Sequence, residues 1–200
     1  MIGQAAAGWE WINDFLTLPH PEIGRSGPVC PFVMPAIKNG TLHFSTRRIG
    51  PPGDAGHLTA LIENLVDEFS VMAWAQPNRT LHAMVAVIAG LPPERVSALD
   101  EAHAMVKRRM VRRGLMLGQF HPDCAETAAR NPSFAVARSP VPMLALRNMA
   151  FHDLLFLHQD REWFAAYADR YGRRYETGQA RDAFLTTLYE QACQRWRTPL

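Results

Sequence analysis

Hydrophobic positions along the chain follow helical spacing in some segments and strand spacing in others, which predicts a mixed fold. Apolar residues three or four apart predict helices over residues 5–16, 54–72, 93–113, 160–171 and 179–197. Alternating or continuous short apolar runs predict strands over residues 41–47, 81–89, 115–120 and 141–149. The second strand is apolar on nearly both faces, so we expect it to be central. Pro142 predicts an edge position or a bulge for the fourth strand.

The order of these elements predicts the fold class. The order strand, helix, strand, helix, strand, strand, helices predicts an α+β fold, with about four strands in a mostly antiparallel sheet packed with helices. A length of 200 residues suits one domain, and the chain shows neither an internal repeat nor a linker. We therefore expect a single domain over residues 1–200.

Composition and charge exclude several function classes. The chain is 48% apolar and 20% charged, which is ordinary for a globular protein. Its apolar runs are far shorter than the roughly 20 residues of a membrane span, and its N-terminus does not resemble a signal peptide. Basic residues cluster over 107–113 at the predicted end of a helix, without a recognition motif, so we expect no nucleic-acid partner. Three widely spaced cysteines predict no disulfide framework and favour the cytoplasm.

Cys30 lies in the most constrained segment of the chain, a loop rich in proline and glycine over residues 19–35. Its thiolate could act as a nucleophile or bind a soft metal if positive charge lowered its pKa, and Arg25 could supply that charge. The proline that follows leaves the sulfur accessible to a flat ligand such as haem. The alternative is that Cys30 is a small buried hydrophobe, as free cysteines often are.

His121 marks a second candidate site, because it ends a strand and precedes a long loop. Imidazole binds iron, copper or zinc and serves as a general base near neutral pH. His121 and Cys124 form a His-x-x-Cys pair, and His20 with Cys30 could complete a zinc site, although the spacing differs from that of zinc fingers. A haem axial ligand needs one residue only. His103, on the apolar stripe of its helix, is expected to be a core histidine.

A third candidate segment is SPVPMLALR, a strand stiffened by proline that ends in Arg147. The guanidinium of Arg147 could hold a carboxylate or a haem propionate in bidentate fashion. A plain surface salt bridge is the alternative. The chain contains no nucleotide-binding glycine motif, no P-loop and no zinc-protease motif, so it gives no support to those classes.

Three blocks carry a resemblance to known families: PHPEIGRSGPVCPF, GLMLGQFHP and SPVPMLALR. In this order they resemble an uncharacterised family found in actinobacterial natural-product gene clusters. The resemblance spans residues 9–172, which leaves residues 173–200 as an added C-terminal helix. More remotely, Cys30-Pro31-Phe32 and the segment from Ser139 to Arg147 are similar to the YqcI/YcgG family. That family includes the haem N-hydroxylase of D-cycloserine biosynthesis.

The remote resemblance implies a haem-dependent, monooxygenase-type oxidoreductase of natural-product biosynthesis. It would N-hydroxylate, or oxidise in a related way, a small amino-acid-like metabolite, and a redox partner could supply electrons. Strand-end geometry favours His121 as the iron ligand, with His20 second and Cys30 third. The walls around the haem ring would be Phe32, Phe120 and Met116. Arg25 and Arg147 would bind the haem propionates or the carboxylate of the substrate. Two alternatives remain: a cofactor-free enzyme with Cys30 as nucleophile and His121 as base, and a non-catalytic binding or scaffold protein.

Overall fold

The computed structural model describes residues 2–197 of the chain. These residues form two compact units. The first comprises residues 2–107 and 117–148, and the second comprises residues 108–116 and 149–197. The sequence predicted a single domain over 1–200, and that domain count remains a prediction.

A four-stranded sheet forms the framework, with strands in the spatial order β1-β2-β6-β3. The strands are β1 (Leu42–Arg48), β2 (Ala83–Ala89), β3 (Leu115–Phe120) and β6 (Met143–Asn148). A separate hairpin consists of β4 (Thr127–Ala128) and β5 (Asn131–Ala135). β1 pairs with β2 in parallel, and β2 pairs with β6 in antiparallel orientation. The sheet is mostly antiparallel and the fold class is α+β, as the sequence predicts.

The helices are α1 (Ile2–Trp11), α2 (Val33–Lys38), α3 (Ala55–Val71), α4 (Ala98–Arg112), α5 (Leu154–Leu157), α6 (Arg161–Glu176) and α7 (Ala183–Trp196). A π-helical turn over Ile12–Leu16 extends α1. Asp54 caps α3 as expected, because its carboxylate accepts a hydrogen bond of 3.0 Å from the backbone N–H of His57. No helix within residues 2–197 is both long enough and apolar enough to cross a bilayer.

Two details of the sheet test the strand predictions. β2 lies between β1 and β6 and is almost wholly buried, so the prediction of a central strand is confirmed. Of the edge or bulge predicted at Pro142, the edge is wrong, because β6 lies between β2 and β3, and β6 pairs with β2 from Met143 to Arg147 without a register shift. Pro142 immediately precedes the first residue of β6, and its carbonyl accepts a hydrogen bond of 2.9 Å from Ile88 N. Proline disturbs the hydrogen bonds between strands only where its missing N–H would have to pair. Here its carbonyl is the group that pairs, so proline is tolerated at this position.

Alternation along the strands gives the sheet two distinct faces. On one, which we call the α1 face, Val85, Val87 and Met143 pack against Ile12 of the π-helical turn. Gly8 permits this close approach, since a Cβ there would lie 3.0 Å from the sulfur of Met143. The opposite face is called the α4 face here, because Asp100 of α4 accepts a hydrogen bond from the side chain of Gln119 in β3 on that side.

Both predicted long loops contain regular structure. The segment predicted as loop from 19 to 35 includes a short 3-10 turn (Pro21–Ile23) and the start of α2. The segment predicted as loop from 121 to 140 includes the β4–β5 hairpin. The hairpin contacts the other loop: Asn131 donates a hydrogen bond of 2.7 Å to the carbonyl of Glu22. The two segments thereby support each other within the first unit.

The second unit has its own aromatic core. Phe164 and Tyr167 of α6 are fully buried, together with Tyr189 of α7. Tyr189 stacks on Tyr175 with ring centroids 3.9 Å apart, and Tyr167 donates a hydrogen bond of 2.6 Å to the carbonyl of Phe151. The predicted added segment from 173 begins inside α6, and its last three residues lie outside those that the structure describes.

Candidate functional site

The residues that the sequence singles out lie on different faces of the sheet. Phe120 packs on the α1 face in the same cluster as Cys30. His121 follows Phe120 directly at the end of β3, so its side chain points to the opposite, α4 face. Its partner there is Asp100 of α4. Cys30 and His121, which a cofactor-free enzyme would need side by side as nucleophile and base, therefore lie on opposite faces of the sheet.

The Cys30 loop is held in place by backbone contacts and by one arginine. The backbone N–H of Cys30 donates a hydrogen bond of 2.8 Å to the carbonyl of Leu16. The guanidinium of Arg25 donates to three carbonyls, those of Ser26, Pro28 and Val29, at 2.8–2.9 Å. Arg25 therefore orders the backbone that presents Cys30. The thiol itself is half-buried against the α1 face.

Phe32 and Arg147 meet across the α1 face. The guanidinium carbon of Arg147 lies 4.5 Å from the centroid of the Phe32 ring, a cation–π contact. One nitrogen of the same guanidinium donates a hydrogen bond of 3.1 Å to the carbonyl of Asn148. Phe32 belongs to the Cys-Pro-Phe block and Arg147 ends the third block, so two distant sequence motifs touch. Four of the predicted site residues, Cys30, Phe32, Phe120 and Arg147, thus belong to one side of the sheet.

His20 lies in an aromatic group next to this surface. Its ring stacks on Phe134 of β5, with centroids 4.6 Å apart and planes at 10°. It also meets Phe15 edge-on at 5.6 Å. The Nδ1 atom accepts a hydrogen bond of 3.3 Å from the backbone N–H of Glu22, which leaves Nε2 as the nitrogen for a ligand. Trp11 extends the group to Phe120, with centroids 5.4 Å apart.

His121 is buried on the α4 face, with 1% of its surface exposed. Its Nε2 lies 3.0 Å from Oδ2 of Asp100. Its Nδ1 is buried too and has no hydrogen-bond partner. The carbonyl of His121 accepts hydrogen bonds from the backbone N–H groups of Cys124 and Ser139, which fixes the turn that carries the histidine.

Cys124 and Gln119 complete the surroundings of Asp100. The Cys124 sulfur lies 4.0 Å from Oδ1 of Asp100 and is buried. Gln119 donates a hydrogen bond of 3.1 Å to the same Oδ1 and thereby orients the carboxylate. Burial raises the pKa of the Cys124 thiol, so this cysteine is not an activated nucleophile. The ligand atoms of Asp100, His121 and Cys124 all lie within 4.8 Å of one another.

His103 behaves as the sequence predicts. It is buried on α4, and its Nε2 lies 3.1 Å from the carbonyl of Leu117. Burial, aided by the charge of Lys107, lowers the pKa of His103 to about 4. His103 is therefore a neutral core histidine in the physiological range.

Sequence reasoning selected His121 and Cys124 but missed Asp100. In the sequence, Asp100 is one of two acidic residues in the first turn of α4, beside Glu101. Such residues are common there because they offset the helix dipole. Asp100 differs from Glu101 only in the tertiary structure, because the packing of α4 against β3 brings Asp100 to His121. The spacing to His103, three residues on and on the same face of the helix, was the one signal that could have drawn attention to it.

Comparison with known proteins adds a family but no activity. No curated protein and no solved structure matches this chain. One family model matches residues 6–182, and so includes both faces of the sheet and every candidate residue but ends before α7. Because that match covers most of the chain, the protein belongs to the family described as "Domain of unknown function (DUF6875)".

Proposed function

We propose that this protein is a haem-dependent oxidoreductase that oxidises a small, amino-acid-like metabolite, with its haem site on the α1 face. The observation that carries the proposal is the contact between Arg147 and Phe32. These two residues belong to the two segments similar to the YqcI/YcgG family. The two segments lie more than one hundred residues apart in the sequence and converge on one half-exposed surface. A ligand that both segments bind would lie there.

The α1 face offers the groups that a haem requires. Cys30 supplies a half-buried sulfur donor, and thiolates serve as haem ligands in proteins. Phe120 packs in the same cluster as Cys30, and Phe32, two residues after Cys30, supplies a second flat apolar ring under Arg147. Arg147 supplies a cation for a propionate or for the carboxylate of the substrate. When bound, haem iron would supply the oxidising chemistry, with electrons from a redox partner.

We place the iron ligand at Cys30 rather than at His121. His121 is 1% exposed and its Nε2 is bonded to Asp100, so no ring nitrogen faces a surface wide enough for a porphyrin. His20 is the second choice, because its Nε2 is available and its ring is part of the aromatic group beside the α1 face. This ranking reverses the order that strand-end geometry favours.

A visible absorption spectrum of the purified protein tests the proposal. After expression with added haem, or after titration of the purified protein with hemin, we expect a Soret band at one haem per chain. Cys30→Ser should shift or abolish the band, whereas the matched Cys193→Ser, a change in the second unit, should leave it intact. His121→Ala should also leave it intact. A protein that stays colourless in both experiments would refute the proposal.

The same experiments separate the two alternatives. A cofactor-free enzyme would need Cys30 and His121 to act together, and the structure puts them on opposite faces of the sheet. A binding or scaffold protein would take up no haem, and Cys30→Ala would then leave the amount of pathway product unchanged.

A further inference from the structure

We infer that Asp100, His121 and Cys124 form a second, separate site on the α4 face that binds a zinc-class divalent cation. One carboxylate oxygen, one imidazole nitrogen and one thiol sulfur, each from a different residue, lie within 4.8 Å of one another. The three residues come from the start of α4, the end of β3 and the turn after it. This site does not depend on the haem proposal, because it uses none of the residues on the α1 face.

The distances suit a tetrahedral ion. Zinc lies about 2.0–2.3 Å from nitrogen, oxygen and sulfur ligands, which places tetrahedral ligand atoms about 3.3–3.8 Å apart. In the structure, His121 Nε2 lies 3.0 Å from Asp100 Oδ2, and Cys124 Sγ lies 4.0 Å from Asp100 Oδ1. These two distances end on different oxygens of Asp100, but one ligand atom from each residue lies within 4.8 Å of the others, so side-chain rotations that bring them together by about 1 Å would complete the coordination.

The second ring nitrogen of His121, Nδ1, does not prevent Nε2 from binding a metal ion. Nδ1 is buried and has no hydrogen-bond partner. A neutral ring leaves a buried lone pair unsatisfied there, and a protonated ring leaves a buried N–H unsatisfied. Either state costs about 1–3 kcal/mol. Because no hydrogen bond at Nδ1 holds the ring proton on Nε2, a metal ion can take the place of the Nε2 proton that faces Asp100, with the ring proton then on Nδ1, which is unpartnered in either case.

The donor set selects the class of ion. Magnesium and calcium prefer oxygen ligands alone, whereas a mixture of sulfur, nitrogen and oxygen suits zinc or cobalt. Gln119 donates a hydrogen bond to Asp100, as residues around metal ligands commonly do. The side chain of Asp100 is 42% exposed, although His121 is sealed. Solvent can therefore reach the ion from the side of Asp100, which gives three protein ligands and an open fourth position, the arrangement of catalytic zinc.

Cobalt binding tests the site, because cobalt replaces zinc and reports its ligands by colour. Protein without a polyhistidine tag is stripped with a chelator and titrated with Co²⁺, then with Zn²⁺. We expect one Co²⁺ per chain, with d–d bands of a tetrahedral ion and a sulfur-to-cobalt charge-transfer band. Zn²⁺ should displace the cobalt. Cys124→Ser should remove the charge-transfer band, whereas Cys30→Ser and Cys193→Ser should retain it.

Affinity measurements on two further variants complete the test. Asp100→Asn and His121→Ala should each weaken Co²⁺ binding by at least about tenfold, a typical effect of losing a group at a metal site. Absence of stoichiometric binding, or a charge-transfer band that survives Cys124→Ser, would overturn the inference. X-ray absorption of the zinc-loaded wild type needs no variant, so it remains decisive if a variant fails to fold. One sulfur in the coordination shell is expected, and a shell without sulfur would also overturn it.

Discussion

Replacing Asp100 with alanine removes the acceptor of two buried donors on the α4 face. Gln119 donates to its Oδ1 at 3.1 Å, and His121 Nε2 lies 3.0 Å from its Oδ2. Both donor residues are at most 5% exposed. Each buried donor left without a partner costs about 1–3 kcal/mol. Water can enter through the position of Asp100 itself, which is partly exposed, so we expect a total loss near the lower end, about 2–4 kcal/mol.

Glu101→Ala is the matched control for this variant. Glu101 is the next residue, lies in the same first turn of α4 and is exposed. Its removal should cost less than about 1 kcal/mol, the usual contribution of one charge at a helix terminus. Any larger loss in Asp100→Ala is then due to the two hydrogen bonds and not to the helix dipole.

Urea unfolding followed by circular dichroism measures the difference. The protein is kept in a chelator so that metal binding does not contribute to the free energy of unfolding. The slope of free energy against urea should agree between the variants, which shows that the same surface is exposed on unfolding. The reasoning is refuted if Asp100→Ala and Glu101→Ala lower the free energy of unfolding by amounts that agree within about 0.5 kcal/mol, the range of an ordinary surface substitution.

Three further predictions concern other parts of the molecule. Burial lowers the pKa of His103 from 6.5 to about 4, so its contribution to stability is present above pH 6.5 and is lost as pH falls toward 4. In urea unfolding at several pH values, His103→Gln should remove up to about 3 kcal/mol of that decline. A Cβ at Gly172 would lie 2.7 Å from the hydroxyl of Tyr189, so Gly172→Ala should lower the melting temperature, and Tyr189→Phe in the same chain should recover much of the loss. Arg25→Ala should make alkylation of Cys30 by iodoacetamide several-fold faster in native protein, and an unchanged rate would show that Arg25 does not order the loop.

The sequence predicted local features of the fold better than long-range ones. β3 begins and ends where alternation of apolar residues predicts, and α3 begins after the cap at Asp54, because both signals act over a few residues. The prediction of an edge strand from Pro142 failed. The avoidance of proline in central strands concerns its missing N–H and does not say which strands pair on either side. The β4–β5 hairpin was missed because the two strands are short and only partly buried, so they leave little hydrophobic pattern.

The candidate sites show the same limit. His121 and Cys124 could be paired from the sequence because they share one turn. Asp100 could not be added, since it approaches them only through the packing of α4 on β3. The association of Cys30 with His121 failed for a related reason. Phe120 and His121 are adjacent in sequence, but strand geometry sends their side chains to opposite faces of the sheet.

The position of α7 matters for anyone who produces this protein. The family match ends at residue 182, one residue before α7 begins. A chain trimmed to the family boundary would lack Leu185 and Tyr189, which cover Phe164 in the core of the second unit. The exposed aromatic patch would invite aggregation. Family limits mark what relatives have in common, whereas a soluble preparation of this protein has to retain its own last helix.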